Sequence, residues 1–129
     1  SMTSMISEGI KVSVETTYQP DFSNPLQSEF VFSYHITIEN HNAFPVKLHR
    51  RHWYIFDSDA TFREVEGEGV VGVQPTILPG KSYEYTSSCN LNSEIGKMNG
   101  HYEMENLFNK KFFFVDIPAF EMIVPFKGN

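Results

Sequence analysis

Cysteine is nearly absent from this 129-residue chain, which contains only Cys89. A single cysteine excludes a disulfide within the chain and is compatible with a reducing compartment. The sequence also lacks a run of about 18 apolar residues, the length that a membrane helix needs. It lacks the charged and hydrophobic N-terminal pattern of a secretory signal as well. We therefore expect a cytoplasmic protein with no membrane partner.

Basic residues are few: the chain has 10 Lys and Arg against 16 Asp and Glu, for a net charge of −6. Duplex binding usually needs a concentrated basic face that releases counterions, so we expect no nucleic-acid partner. Aromatic residues, in contrast, make up 15% of the chain. That richness and the length favour one folded domain with a real core.

The two ends of the chain are predicted to lie outside this domain. Ser1 before Met2 resembles the remnant of a tag, and residues 1–8 are predicted to be a flexible N-terminus. A single domain is predicted over residues 9–126.

Helical periodicity with plausible caps is missing over any ten successive residues, whereas period-two alternation recurs. It is strongest from Phe30 to Glu39. Val46 to Phe56 is predicted to pair with that strand in a hairpin, and Pro118 is predicted to interrupt the last strand. Eight or nine short strands at intervals of roughly 8 to 12 residues indicate an antiparallel two-sheet β-sandwich, with a small barrel as the competing architecture.

Three glycines lie in six positions and spell G-x-G-x-x-G. The prolines that follow, Pro75 and Pro79, exclude the helix of a dinucleotide-binding turn. Without that helix, two interpretations remain: backbone amides that converge on an anion, or glycines that permit positive φ, bulges and close packing. The candidate anion-binding residues are Gly67, Gly69, Val70, Val71 and Gly72, with Arg51 and Arg63 neutralising charge. Three carboxylates, Glu64, Glu66 and Glu68, argue against a phosphate there.

A basic cluster, His49-Arg50-Arg51-His52, is the second candidate site. Strand alternation predicts that His49 and Arg51 share one face and that Arg50 and His52 share the other. The two histidines are therefore not expected to ligate one metal. His49 and Arg51 could together receive a phosphate or carboxylate; alternatively, Arg51 pairs with a glutamate and packs on Trp53.

Elsewhere in the chain, the candidate catalytic and metal-binding residues are explained equally well by structural roles. Cys89 has no neighbouring base, and the Asp57-x-Asp59 turn is too short for an EF-hand loop. The sequence predicts no catalytic residue, no metal ligand set and no cofactor. The run Phe112 to Phe114 cannot place three rings on one side of a strand, so one side of it is expected to meet a loop or a second copy in a homodimer.

Several motifs, in order across almost the whole chain, resemble the bacterial ApaG family. They are R-x-W-x-I (Arg51, Trp53, Ile55), E-G-E-G-V-V-G-x-Q-P (Glu66 to Pro75), L-P-G (Leu78 to Gly80), Y-E-Y-T-S (Tyr83 to Ser87), G-x-M-x-G-x-Y (Gly96, Met98, Gly100, Tyr102) and I-P-A-F (Ile117 to Phe120). Many members of the family have a glycine in the turn where this chain has Ala60, and this difference affects only the expected geometry of that turn.

The resemblance implies an immunoglobulin-like, fibronectin type III-like β-sandwich with about seven to nine strands. Similar domains in eukaryotic F-box proteins and in a polymerase-associated protein are interaction modules, and the bacterial family is linked by name to cobalt and magnesium homeostasis. The leading hypothesis is therefore a non-enzymatic module that binds a protein partner or a small anionic ligand through an edge or loops. The alternative is nucleotide or pyrophosphate binding, with or without hydrolysis, at Gly67–Gly72. A third hypothesis is direct binding of a divalent cation.

Overall fold

The computed structural model describes residues 2–126, which form nine β-strands in two antiparallel sheets. The strands are β1 (Met2–Ser7), β2 (Ile10–Tyr18), β3 (Phe30–Asn40), β4 (Val46–Asp57), β5 (Phe62–Glu68), β6 (Thr76–Ile77), β7 (Ser82–Leu91), β8 (Ile95–Asn106) and β9 (Phe112–Ile123). The first sheet has the order β1-β2-β3-β7. The second has the order β5-β4-β8-β9, and β6 also pairs with β4. The predicted two-sheet antiparallel sandwich is confirmed.

Period-two alternation places one core between the two sheets. In β3, Phe30, Phe32, Tyr34, Ile36 and Ile38 are each at most 6% exposed, while the intervening residues are partly exposed. Successive side chains of a strand point to opposite faces, so this alternation buries one row against the facing sheet. No helix in residues 2–126 has the length and apolar character to cross a bilayer.

A β-bulge in β4 changes which side chains face the core. Leu48 pairs with Met104 and Arg50 with Glu103, which leaves His49 as an extra residue. An extra residue shifts the alternation by one position. The buried positions consequently have even numbers before the bulge, at Val46 and Leu48, and odd numbers after it, at Trp53 and Ile55.

A second bulge lies in β9, where Met98 pairs with Phe120 but Gly100 pairs with Ile117. The strand continues from Phe112 to Ile123 through Pro118, so the prediction that Pro118 interrupts the last strand is wrong. Within its sheet β9 is an edge strand, and a bulge on an edge tolerates a residue without a backbone N–H.

The predicted β3–β4 hairpin is also wrong, because the two strands belong to different sheets. The chain crosses between the sheets after Asn40, whose side chain is buried at the crossing. Its Nδ2 donates to Phe44 O at 2.9 Å and to Ile77 O at 3.0 Å. A connection of five residues can close a hairpin or cross a sandwich, and strand periodicity does not distinguish the two.

The N-terminus differs from the flexible segment predicted for residues 1–8. Met2–Ser7 form β1, which pairs with β2 through a turn in which Glu8 and Gly9 both have positive φ. Asp116 N in the second sheet donates to Ser7 Oγ at 3.0 Å, so this strand also contacts β9. The domain therefore extends to Met2; Ser1, the predicted tag remnant, lies outside the described residues.

The Asn40→Ala substitution is expected to lower the free energy of unfolding by about 2 kcal/mol, because it leaves the carbonyls of Phe44 and Ile77 without their donor. Urea unfolding followed by circular dichroism measures the change. Asn42→Ala is the matched control, since the Asn42 side chain donates to Glu8 O at an exposed position. An equal loss in both variants would contradict the role assigned to Asn40.

Candidate functional site

Gly69 and Gly72 lie at the tip of a small hairpin that follows β5, and Gly67 lies within β5 opposite Arg51. Gly69 has φ of +64°, and the isolated pair Val70–Val73 encloses a two-residue turn in which Val71 and Gly72 have φ of +47° and +77°. Positive φ at both central residues is the geometry of a type I′ turn. The structure thus places Gly69 and Gly72 at positions where left-handed backbone is required.

Most amides of this glycine tip (residues 69–73) are used within the chain. The bonds are Gly69 N to His49 O (2.8 Å), Val70 N to Val73 O (2.8 Å) and Val73 N to Val70 O (3.0 Å). Among the described residues, the amides of Val71 and Gly72 have no such acceptor. Two adjacent amides on a turn do not form the concavity of three or more that an anion nest requires. This geometry does not favour the predicted anion site at the tip.

Arg51 fastens the glycine tip from the core side of the sheet. Its Nη1 donates to Glu68 O and to Gly69 O, both at 3.0 Å. Gly67 leaves the space for this guanidinium, since a Cβ there would lie 3.1 Å from Nη1. The arginine therefore bonds to backbone carbonyls, whereas the sequence interpretation pairs it with a glutamate side chain.

His49 and Arg51 lie on opposite sides of β4, so the prediction that they share a face is wrong. The His49 ring contacts Phe112 with centroids 4.8 Å apart, and its Nε2 lies 2.8 Å from Glu105 Oε1 on the outer side of the sheet. The bulge at His49 reverses the alternation between these two positions. A joint anion site of His49 and Arg51 is therefore excluded.

The predicted residues Arg51 and Arg63 do come together, in an opening between the edges of β5 and β7 that we call the edge slot. It has a volume of about 270 Å³, and Arg51, Arg63, Tyr34, Ser87 and Ser88 are among its lining residues. Arg63 reaches across from β5 to β7, where its Nη2 donates to Asn90 O at 2.6 Å. The slot thus has two cationic side chains and the hydroxyls of Tyr34 and Ser87.

Cys89 lies beside the edge slot and is an inert thiol rather than a nucleophile. It is 6% exposed, and burial raises the pKa of the thiol, although the nearby Arg63 guanidinium opposes that effect. Arg63 Nη2 lies 3.4 Å from Cys89 Sγ. A thiol with a raised pKa is mainly protonated at neutral pH and reacts slowly.

Three tyrosines form a polar group inside the core behind the slot. The hydroxyls of Tyr85 and Tyr102 are 2.5 Å apart and buried. Burial raises the pKa of both phenols and that of Tyr34, because the charged phenolate would be poorly solvated. The tyrosines are therefore neutral hydrogen-bonding groups in the folded protein.

The outer side of the second sheet carries a row of aromatic and imidazole rings, which we call the outer aromatic face. Ring centroids are 4.8 Å apart for Phe56–Phe62, 4.5 Å for His52–Tyr54, 5.1 Å for His52–His101 and 5.3 Å for His101–Phe114. The row crosses all four long strands of the sheet, because Phe56 pairs with Phe62 and His52 with His101, while Phe114 lies diagonally from His101. Phe112 belongs to the same face, where its ring contacts His49. Aromatic side chains on a solvent-facing sheet surface are typical of binding surfaces.

Carboxylates border these rings. Glu64 and Glu66 contact the two ring nitrogens of His52, at 2.8 Å from Nε2 and 3.1 Å from Nδ1. Glu64, Glu66 and Glu68 all point outward on β5, since their partners on β4 are Tyr54, His52 and Arg50. No group of three or more His, Cys, Asp or Glu within residues 2–126 is arranged to hold a metal ion.

Comparison with known proteins agrees with the motifs and the fold. The model of the ApaG domain family matches residues 20–106. The ApaG protein of Parvibaculum lavamentivorans is 45% identical over 124 residues, covering 96% of this chain and 95% of that protein. The ApaG protein of Nitrosomonas eutropha is 48% identical over 118 residues, covering 90% and 91% respectively.

The chain belongs to the ApaG family. A crystal structure of the ApaA protein of Bordetella pertussis resembles it with a TM-score of 0.86 at 40% identity, covering 90% of this chain and 94% of that one. The family resemblance predicted from the motifs is confirmed. Those motifs map mostly to structural positions: Gly67 makes room for Arg51, Trp53 is buried, and Tyr102 bonds to Tyr85.

Most of the outer aromatic face of this ApaG-family chain is not apparent from the sequence. Tyr54 and Phe56 fall within the predicted strand from Val46 to Phe56, and no pattern in the sequence connects them with Phe62 or His101. The run Phe112 to Phe114 predicts that one side of its strand meets a loop or a second copy, and in the structure Phe112 and Phe114 are 53% and 61% exposed on the outer side. The other members are brought together by cross-strand register, which period-two patterns do not reveal.

Proposed function

We propose that this ApaG-family chain is a non-enzymatic binding module whose outer aromatic face docks a basic segment of another protein. The observation that carries the proposal is the exposure of large rings on one sheet surface: Phe56 is 43% and Phe62 50% exposed, and Phe112 and Phe114 are more exposed still. Exposed apolar surface bordered by charge is typical of protein interaction sites.

Charge supports a basic partner. Outward positions of the second sheet carry more carboxylates than cations; the carboxylates are Glu64, Glu66, Glu68, Glu103, Glu105, Asp116 and Glu121, and the cations are Lys47, Arg50 and Lys97. Arg and Lys side chains can pair with these carboxylates and lie over the rings. A second copy of this chain would bring two acidic faces together, so a heterologous partner fits better than a homodimer.

The chemistry of the remaining residues also favours binding over catalysis. Cys89 is a protonated thiol, and within residues 2–126 the carboxylates and histidines do not assemble a metal centre. In this proposal any connection with cobalt or magnesium homeostasis runs through the partner protein. A cytoplasmic setting is part of the proposal, since one buried cysteine suits a reducing compartment. Nucleotide or pyrophosphate binding at Gly67–Gly72 is the weaker alternative, because most amides there are already bonded.

The Phe112→Ser, Phe114→Ser double variant is expected to weaken binding of basic peptides by about tenfold or more, because it removes the two most exposed rings of the face and a few large side chains carry most of the binding energy of an interface. The measurement uses an array of peptides that vary in Arg and Lys content, followed by calorimetry on those retained. The matched control is Phe22→Ser, Leu26→Ser, which removes two exposed apolar residues beside the first sheet.

Three results would overturn this proposal. One is equal retention of neutral and basic peptides; another is equal loss of binding in the control variant. The third is a wild-type dimer in light scattering that the double variant converts to a monomer, which would identify the outer aromatic face as a contact between copies.

A further inference from the structure

We infer that the edge slot is a binding site for a small anionic compound with a phosphate or carboxylate group, held by Arg51 and Arg63. The slot opens between the two sheets at the edges of β5 and β7, on a different side from the outer aromatic face. The inference goes beyond the proposed docking function and does not depend on it.

The first support is local charge. None of the described residues that line the slot is an aspartate or glutamate. Within residues 2–126, neither Arg51 nor Arg63 lies within 4.0 Å of a carboxylate oxygen; the ion pairs there involve histidines. Two uncompensated guanidinium groups are unusual in a chain of net charge −6, and such a pair attracts an anion.

The second support is the number of donors that the arginines keep available. A guanidinium has five N–H donors. Arg51 uses Nη1 on the two carbonyls of the glycine tip, and Arg63 uses Nη2 on Asn90 O and Cys89 Sγ. No fully buried side-chain nitrogen or oxygen in residues 2–126 lacks a hydrogen-bond partner, so the guanidinium nitrogens that make no bond within the chain keep some contact with solvent. Such forks match phosphate and carboxylate oxygens in geometry.

The third support is that the two arginines are held in place before any ligand arrives. Backbone carbonyls fix one end of each guanidinium, which lowers the entropy cost of binding. Ser87 adds a hydroxyl on the slot side of β7, and Trp53 and Ile55 form an apolar floor. The volume of about 270 Å³ suits a small molecule rather than a macromolecular segment.

Arg50 provides an internal contrast. It lies on β4 next to Arg51, but it points to the outer side, between Glu68 of β5 and Glu103 of β8. An anion there meets carboxylates on both sides. Arg50→Gln therefore removes the same charge from the same strand without touching the slot.

The test is a titration of the isotopically labelled protein with inorganic phosphate, pyrophosphate and succinate at constant ionic strength, followed by NMR. We expect saturable shifts of the Arg51 and Arg63 Nε–H signals and of the amides of residues 87–90 with at least one compound. Arg51→Gln and Arg63→Gln are each expected to weaken binding about tenfold or more, the usual effect of losing a bond to a charged group. Arg50→Gln is expected to leave it unchanged.

Val65→Asp keeps the proposal testable if an arginine variant loses structure. Val65 lines the slot on the same side of β5 as Arg63 and is 40% exposed, so a carboxylate there should abolish binding while the thermal unfolding temperature stays close to the wild-type value. The proposal is overturned if none of the three compounds gives saturable shifts at the slot, or if Arg50→Gln weakens binding as much as the slot variants. Shifts confined to the amides of Val71 and Gly72 would move the site to the glycine tip and also refute it.

Discussion

The Gly69→Ala substitution is expected to lower the free energy of unfolding by about 2 to 5 kcal/mol, the sum of left-handed backbone strain and overpacking. Gly69 has φ of +64°, where a side chain is strained. A Cβ there would also lie 2.2 Å from Val73 O, a backbone atom that cannot move without opening the turn. Opening it would expose Val70, which is fully buried.

Gly72→Ala separates these two causes. Gly72 has a similar φ, +77°, but no atom lies within 4 Å of the position of its Cβ. It should cost only about 1 to 2 kcal/mol, the strain alone. Chemical unfolding of both variants gives the comparison. Equal losses would mean that the contact with Val73 O has no role, and a loss in neither would mean that the tip is not fixed by its glycines.

For the glycine triplet, the general structural role could be predicted from the sequence, but the role of each glycine could not. The sequence correctly offered positive φ and close packing as one of two explanations, since prolines after Gly72 excluded a helix. The role of each glycine depends on its neighbour in the fold. Strand register places Arg51 against Gly67, and closure of the turn places Val73 O against Gly69.

The fold was largely predictable because alternation in β3 is uninterrupted over eleven residues. The errors arose at bulges and at a crossing between sheets. His49 and Pro118 each lie where an extra residue shifts the alternation, and nothing in the local sequence marks the shift. For the same reason, strand alternation correctly predicts that Arg51 and Trp53 lie on the same side of β4, but it wrongly predicts that His49 lies there too.

The candidate sites were less predictable, because their members are distant in sequence. Arg51 and Arg63 were named as a charge pair for the glycine tip, yet they meet in the edge slot with Ser87 and Ser88 from β7 of the other sheet. That meeting depends on how the two sheets stack, which periodicity does not encode. The presence of two candidate arginines can therefore be read from the sequence, but the residues that they contact cannot.

Alkaline pH is expected to unfold the protein steeply above about pH 10, the ordinary pKa of tyrosine. Burial raises the pKa of Tyr34, Tyr85 and Tyr102 in the folded state, so the unfolded chain releases these protons first. Stability from the neutral phenols is complete below pH 10 and is lost as pH rises toward the folded-state pKa values. Each tyrosine contributes a loss of about 1.4 kcal/mol per pH unit in that window.

The measurement combines circular dichroism with the ultraviolet absorbance of tyrosinate over a pH series. The loss of the circular dichroism signal should coincide with a rise in tyrosinate absorbance, because the buried phenols ionise only when the core opens. Tyr34, Tyr85, Tyr102 and Cys89 all have a pKa raised by burial, so replacing two of these four groups in Tyr85→Phe, Tyr102→Phe should lower the slope of stability against pH by about half. If the double variant kept the wild-type slope, ionisation elsewhere would have to drive alkaline unfolding, and the neutral tyrosine group would have no part in it.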